Sequence, residues 1–288
     1  MPSKKRVLMK RYRHYNKETA IILSCFGSVI EQDKYFAFES YIKEQFPNIP
    51  VFTAFSSKMV IKALAKEGKV YKNLPQVMAD VDMEGYKRYI VASINIFPTD
   101  EHEVLIRMVK GFREFSLANI RYTNALLTKT KETSNYLNFL DATIRKKTPE
   151  SINLYIIHGV PVLNLAGLES VKYVSEFLQR INPRNITCSL EGEFPFFAIK
   201  DAIKREILAI TNGSQEIKVN IVPLLLVSGN HYDNDMREIA DEVAAYANAD
   251  IVASINEDSK FNLLGQQEVR ELFKQNIEVE LTKLGAGN

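Results

Sequence analysis

Read for its alternation of apolar and polar positions, the chain divides into short apolar runs separated by longer stretches with apolar residues every three or four positions. The runs Ala20–Phe26, Val51–Phe55, Tyr89–Phe97 and Ile120–Leu127 are predominantly apolar without a helical period, the pattern of strands buried on both faces of a parallel sheet. Between them the spacing becomes helical. Tyr35, Phe36, Phe38, Tyr41 and Ile42 form one stripe, and Met59, Val60, Ala63 and Leu64 form another, with Ser56 or Ser57 as its N-cap and Gly68 as its stop. Leu74–Met83 repeats the helical period, and Pro98-Thr99-Asp100-Glu101 opens a long helix that runs to Phe112. A further helix covers Asn138–Ile144. The plan is then written a second time: strands at Ile152–Ile157, Ile186–Leu190, Ile221–Val227 and Asp250–Ile255, and a closing amphipathic helix over Gln266–Leu284. Strands alternating with helices imply right-handed βαβ units. The expected fold is therefore α/β, with two similar lobes, each a roughly four-stranded parallel sheet flanked by helices, facing across a cleft. The expected division is a basic tail (1–19), a first lobe (20–147), a second lobe (151–265) and a C-terminal helix (266–288). The apolar face of that helix needs a partner, and the first lobe is one place to bury it.

The most apolar run, Ile221–Val227, leads through Ser228-Gly229-Asn230 to His231. Met236, Ile239, Val243 and Tyr246 then recur at helical spacing, with Asp235 and Glu238 placed as a capping box. Ligands of open α/β sheets bind outside the carboxyl ends of the strands, so position alone makes His231 a site candidate. His158 ends Ile152–Ile157 in the same way, and Glu191 and Glu193 follow Ile186–Leu190. Two imidazoles and a carboxylate suit a mid-row divalent metal such as Fe, Co, Ni or Zn and leave coordination positions open. Spacing alone equally fits ordinary strand-end histidines and acids placed at a helix N-terminus, where the dipole favours them. The aromatic clusters Tyr35–Tyr41 and Phe194–Phe197 read as core, since helical spacing accounts for most of them.

Charge and composition narrow the field. Residues 1–17 carry seven basic side chains and no acidic one, leaving the rest of the chain with 30 basic against 35 acidic groups, a mildly acidic body. Such a tail reads as a solvated terminus, and no aromatic spacing of an RNA-binding module accompanies it, so nucleic acid is not an expected partner. No apolar stretch is long enough for an export signal or a membrane span, which predicts a cytoplasmic protein with no membrane partner. Cys25 and Cys188 stand alone, without the spacing of a zinc ribbon or a disulfide framework. Gly27-Ser28 lacks the glycine patterns that cradle a phosphate, so no nucleotide cofactor is expected, and there is no G-x-S-x-G elbow. Monomer and homo-oligomer are both left open.

The run V-P-L-L-L-V-S-G-N-H-Y-D-N-D-M over residues 222–236 resembles the P-L-M-L-V-A-G-D-H-x-x-N-D-M segment of the anaerobic-type sirohydrochlorin cobaltochelatases, class II chelatases built from two similar α/β lobes. Three further segments fit in order. Phe55–Leu64 looks like that family's F-T-S-x-M-I, Ile156–Gly159 its G-H-G, and Leu190–Pro195 its V-E-G-Y-P. The resemblance covers the chain from about Ala20 to Leu284. It implies a lyase that inserts a divalent metal, Co2+ above Fe2+ or Ni2+, into sirohydrochlorin or a related tetrapyrrole in cobalamin biosynthesis, with the metal as substrate. It places the metal-binding and catalytic residues on His158, Glu191 and His231. Alignment on Glu-Gly selects Glu191, whereas counting back from Pro195 brings in Glu193, so both remain open. The chain also departs from the family: Val160 and Val162 stand where a Thr and a His are common, and Asn95 stands where the first lobe has a strand-end His. These departures motivate an alternative, a non-catalytic protein of the chelatase fold that holds a tetrapyrrole or a metal.

Overall fold

The computed structural model describes residues 12–229, 232–255 and 258–285. The chain forms two compact units, one running to Leu126 and resuming at Arg270, the other spanning Leu127–Val269.

The first unit contains β1 (Lys17–Cys25), α1 (Gln32–Gln45), β2 (Val51–Phe55), α2 (Lys58–Lys66), α3 (Leu74–Met83), β3 (Tyr86–Ile94), α4 (Asp100–Arg113) and β4 (Asn119–Tyr122). Its four strands lie in the order β2-β1-β3-β4, every pair parallel. Successive side chains of a strand point to opposite faces, and Ala20 through Leu23 of β1 are all fully buried, so helices cover both faces of the sheet. Local chemistry sets the helix starts. Ser57 accepts a hydrogen bond from Val60 N at 3.3 Å, while Asn73 and Gln76 form a reciprocal capping box at the start of α3.

The second unit contains α5 (Thr130–Lys147), β5 (Ile152–Ile157), α6 (Leu168–Ile181), β6 (Asn185–Ser189), α7 (Phe196–Thr211), β7 (Lys218–Leu224), a π-helical turn (Tyr232–Met236), α8 (Arg237–Ala244) and β8 (Asn248–Ile251). The strand order β6-β5-β7-β8, again all parallel, repeats that of the first sheet. Helix α6 was not marked in the pattern of apolar positions described above. Helix α5 belongs with this unit because its Asp141 accepts from Asn153 Nδ2 (3.1 Å) and the Tyr155 hydroxyl (2.9 Å), while Arg145 donates to Ser151 O (2.8 Å). The division thus falls ahead of Lys147–Ser151. The last helix, α9 (Gln267–Lys283), supplies Phe273 to the first unit, where its ring meets Phe38 at 5.5 Å between centroids, and Glu280, which pairs with Arg121 at 2.5 Å.

Several strands end earlier than their apolar runs. β4 stops at Tyr122, yet Ala125, Leu126 and Leu127 stay buried as loop because Leu126 N donates to Asn95 O at 2.9 Å. β7 stops at Leu224, and the carbonyls of Leu225 and Leu226 accept instead from Leu263 and Leu264 (3.0 and 2.9 Å). The Asp235–Glu238 capping box is not formed. A π-helical turn occupies Tyr232–Met236, so Asp235 already lies inside a helical turn and the N-cap position of α8 falls on Met236, which makes no side-chain cap. Among the described residues no helix is long and apolar enough to cross a membrane.

Candidate metal centre

The second sheet changes direction between β5 and β7: from β5 the chain crosses to β6 on one side, and from β7 to β8 on the other. Crevices at such switch points are the usual ligand sites of open α/β sheets. His158 follows β5 directly. Pairing between β5 and β6 outlasts the strands, with Leu190 N donating to Ile157 O at 2.9 Å and Glu191 N to His158 O at 3.1 Å. Two extra backbone bonds therefore set the residues after the two strands side by side. His158 Nδ1 lies 3.6 Å from Glu191 Oε1, with the two side chains 43% and 49% exposed. That separation is too long for a hydrogen bond, and both groups remain open to solvent.

Two glycines allow the loops to come this close. A Cβ on Gly159 would sit 1.8 Å from Glu191 O, and one on Gly192 would sit 1.7 Å from Val160 O. Both residues also have positive φ (+81° and +83°), which L side chains rarely adopt. Glu193 faces another way. Its Oε2 accepts from Val160 N at 3.3 Å, and its Oε1 is buried with no hydrogen-bond partner. The structure thus brings Glu191, and not Glu193, to the His158 imidazole. The third predicted residue, His231, lies outside the described residues.

The departures seen in the sequence have separate fates. Val160 is buried against the β6 loop, whereas Val162 is exposed. In the first unit, Asn95 Nδ2 donates to Ser93 Oγ at 2.9 Å, and Ser93 Oγ lies 2.8 Å from the Nδ1 of the buried His102. The expectation of an aromatic core at Phe194–Phe197 holds for Phe196, which is fully buried, but not for Phe194, 71% exposed, or Phe197, 45% exposed. The helical period explains Phe196 because that residue lies on the inner face of α7. Phe194 precedes the helix, where the period has no bearing. No signal in the sequence marks its positive φ of 51°.

Comparison with known proteins agrees with this architecture. A family model described as cobalt chelatase (CbiK) matches residues 19–281. SirB from Bacillus subtilis with Fe3+ superposes with a TM-score of 0.63 at 16% identity, covering 92% of this chain and 95% of that one. The sirohydrochlorin chelatase SirB from Bacillus subtilis subspecies spizizenii, in complex with cobalt, gives 0.60 at 13% identity, covering 93% and 97%. At these identities the two structures establish the fold. The family match extends over both units, from the start of the first sheet into the last helix, and the chain is a metal chelatase of the CbiK cobalt chelatase family.

Proposed function

We propose that this chain inserts a divalent cation, Co2+ before Fe2+ or Ni2+, into sirohydrochlorin or a closely related tetrapyrrole of cobalamin biosynthesis, with His158, Glu191 and His231 holding the metal. The observation that carries the reading is the 3.6 Å approach of His158 Nδ1 to Glu191 Oε1 at the open ends of β5 and β6. Two ligands each about 2.0–2.1 Å from one tetrahedral ion stand about 3.4 Å apart, so the pair needs only a small adjustment to share a cation. Nitrogen and carboxylate oxygen together suit the later first-row divalent metals.

Metal insertion exchanges one dication for two pyrrole N–H protons, so two N–H bonds break, metal–nitrogen bonds form and two protons leave. A neutral imidazole can serve as a ligand or accept such a proton. The Glu191 carboxylate offsets part of the positive charge brought into the site and offers a second proton acceptor. The half-exposed side chains leave the ion room to shed water and meet the macrocycle. We place the reaction in the cytoplasm, without nucleic acid or membrane as partner. The free, buried thiols of Cys25 and Cys188 fit a reducing compartment.

The test is to mix purified protein with Co2+ and an excess of metal-free sirohydrochlorin and follow the absorption spectrum. Conversion of many equivalents per chain is expected. A spectral shift that stops at one equivalent would identify a binding protein of the chelatase fold, the reading that Asn95, Val160 and Val162 raise from the sequence.

A further inference from the structure

The outer strand of the second sheet, β6, pairs with β5 alone. The bonds from Asn153 N to Arg184 O (3.0 Å) and from Leu190 N to Ile157 O (2.9 Å) fix which of its backbone groups that pairing uses: those of Arg184, Ile186, Cys188 and Leu190. Backbone groups alternate in direction along a strand, so the N–H and C=O of Thr187 point to the open side. At Ser189 that side is closed, by the bond from Ser189 N to Phe194 O (3.2 Å) and a parallel bridge to Pro195. Ahead of this closure a groove of about 520 Å3 runs along Ile186–Ser189 between α6 and α7. Its floor is apolar and buried, formed by Val171, Ile186, Cys188 and Ile203. Its rim is acidic: Glu176 and Glu206 stand exposed there, and Glu206 has no ion pair among the described residues. The one cation that lines the groove, Lys172, already pairs with Glu169 at 3.2 Å.

We propose that this groove is a docking surface for the basic segment Lys4–Arg11 of the chain, which adds an extended strand to the open edge of β6. The segment lies outside the described residues and reads Lys4-Lys5-Arg6-Val7-Leu8-Met9-Lys10-Arg11. Three apolar residues between basic groups are the complement of an apolar floor between acids. In extended form the apolar triplet covers about 10 Å, the length of edge over which the floor and the unpaired groups of Thr187 coincide. Strand addition supplies main-chain hydrogen bonds for affinity, while alternate side chains enter the groove and give specificity. An unpaired edge above an apolar floor is also a template for wrong pairing between molecules, and a resident segment removes it. The tail is then a covering element of the fold and not a solvated terminus. Neither His158 nor Glu191 lines the groove, so this inference stands or falls independently of the function proposed above.

Site-resolved hydrogen exchange of the Thr187 amide in the full-length chain decides it. A bare edge amide exchanges freely, whereas one bonded to an added strand is protected. The amide is expected to exchange at least about tenfold more slowly in wild type than in the charge-reversed tail variant K4E/K5E/R6E, with the protection falling at high salt. A synthetic peptide of residues 1–11, added to that variant, is expected to restore slow exchange, which separates loss of the segment from damage to the fold. E176K/E206K is expected to speed exchange as the tail variant does, and combining the two sets of reversals should recover part of the protection. Equal exchange in wild type and the tail variant, or failure of the peptide to restore protection, overturns the proposal. Protection that E176K/E206K retains in full overturns it as well, since the groove rim would then not hold the segment. Protection that rises with protein concentration and survives the tail reversal would identify pairing between the β6 edges of two copies in place of the tail.

Discussion

Ser93 Oγ lies 2.8 Å from His102 Nδ1, joining the end of β3 to the first turn of α4. Asn95 Nδ2 donates to the same hydroxyl, so the buried ring and the amide share one partner. Burial holds the His102 pKa below its ordinary value, against the opposing charge of Glu103. The unfolded chain therefore takes up this proton before the folded one. Stability contributed by the neutral ring is complete above the unfolded value of about 6.5 and declines as pH falls below it. Urea unfolding at about pH 7.5 and pH 5.5 is expected to show a larger loss for wild type than for H102N, whose amide can still meet Ser93 but does not titrate. Equal losses in the two proteins would remove His102 as the source.

Gly159 and Gly192 let the loops that carry His158 and Glu191 approach, and neither tolerates a side chain. G159A and G192A each force a Cβ into a backbone carbonyl and strain a positive φ, and each is expected to cost about 1–3 kcal/mol in urea unfolding. The displaced loops should also weaken Co2+ binding. An alanine variant with wild-type stability and wild-type Co2+ affinity would show that the close approach is dispensable.

The two glutamates should separate cleanly. E191Q is expected to lower Co2+ affinity by an order of magnitude or more, on the order of 1.4 kcal/mol, because it removes the charge facing His158. E193Q is expected to leave Co2+ affinity intact, since Glu193 is turned to Val160 N, and to be neutral or slightly stabilising because it replaces a buried oxygen without a hydrogen-bond partner. Calorimetric titration of both variants decides the matter. The reverse ranking would assign the ligand role to Glu193.

H158A and H231A are each expected to abolish insertion with little effect on melting temperature. Ligands of one ion act as a unit, so the double variant should be scarcely worse than either single one. Additive losses would mean that the two histidines serve separate functions.

At the other end of the second sheet, Asp141 accepts from Arg145 Nε at 3.0 Å as well as from Asn153 and Tyr155. All of these groups lie in the interior or close to it. D141A leaves the Arg145 guanidinium without its carboxylate counter-charge and takes an acceptor from the buried Tyr155 hydroxyl, and it is expected to cost about 3–5 kcal/mol in urea unfolding while leaving Co2+ affinity unchanged in the folded fraction. A loss below about 1 kcal/mol would show that water replaces the carboxylate.

The sequence by itself determined the class of fold. Doubly buried strands leave continuous apolar runs and the helices between them leave a 3.6-residue period, so the α/β order was legible along with the Ser57 cap, a strictly local arrangement of a hydroxyl and a nearby backbone N–H. The placing of His158 and Glu191 after strands was legible for the same reason. Tertiary structure decided everything that depends on partners distant in the chain. Ala125, Leu126, Leu127 and Leu225 look like strand but are buried as loop, because burial, and not pairing, is what hydrophobicity records. The Asp235–Glu238 spacing matched a capping box, yet a π-helical turn moved the helix start past it. The choice of Glu191 over Glu193 to face His158 was set by two hydrogen bonds across β5 and β6 and by the mutual approach of Gly159 and Gly192. Neither relation has a local signature, since each is a meeting of backbones more than thirty residues apart.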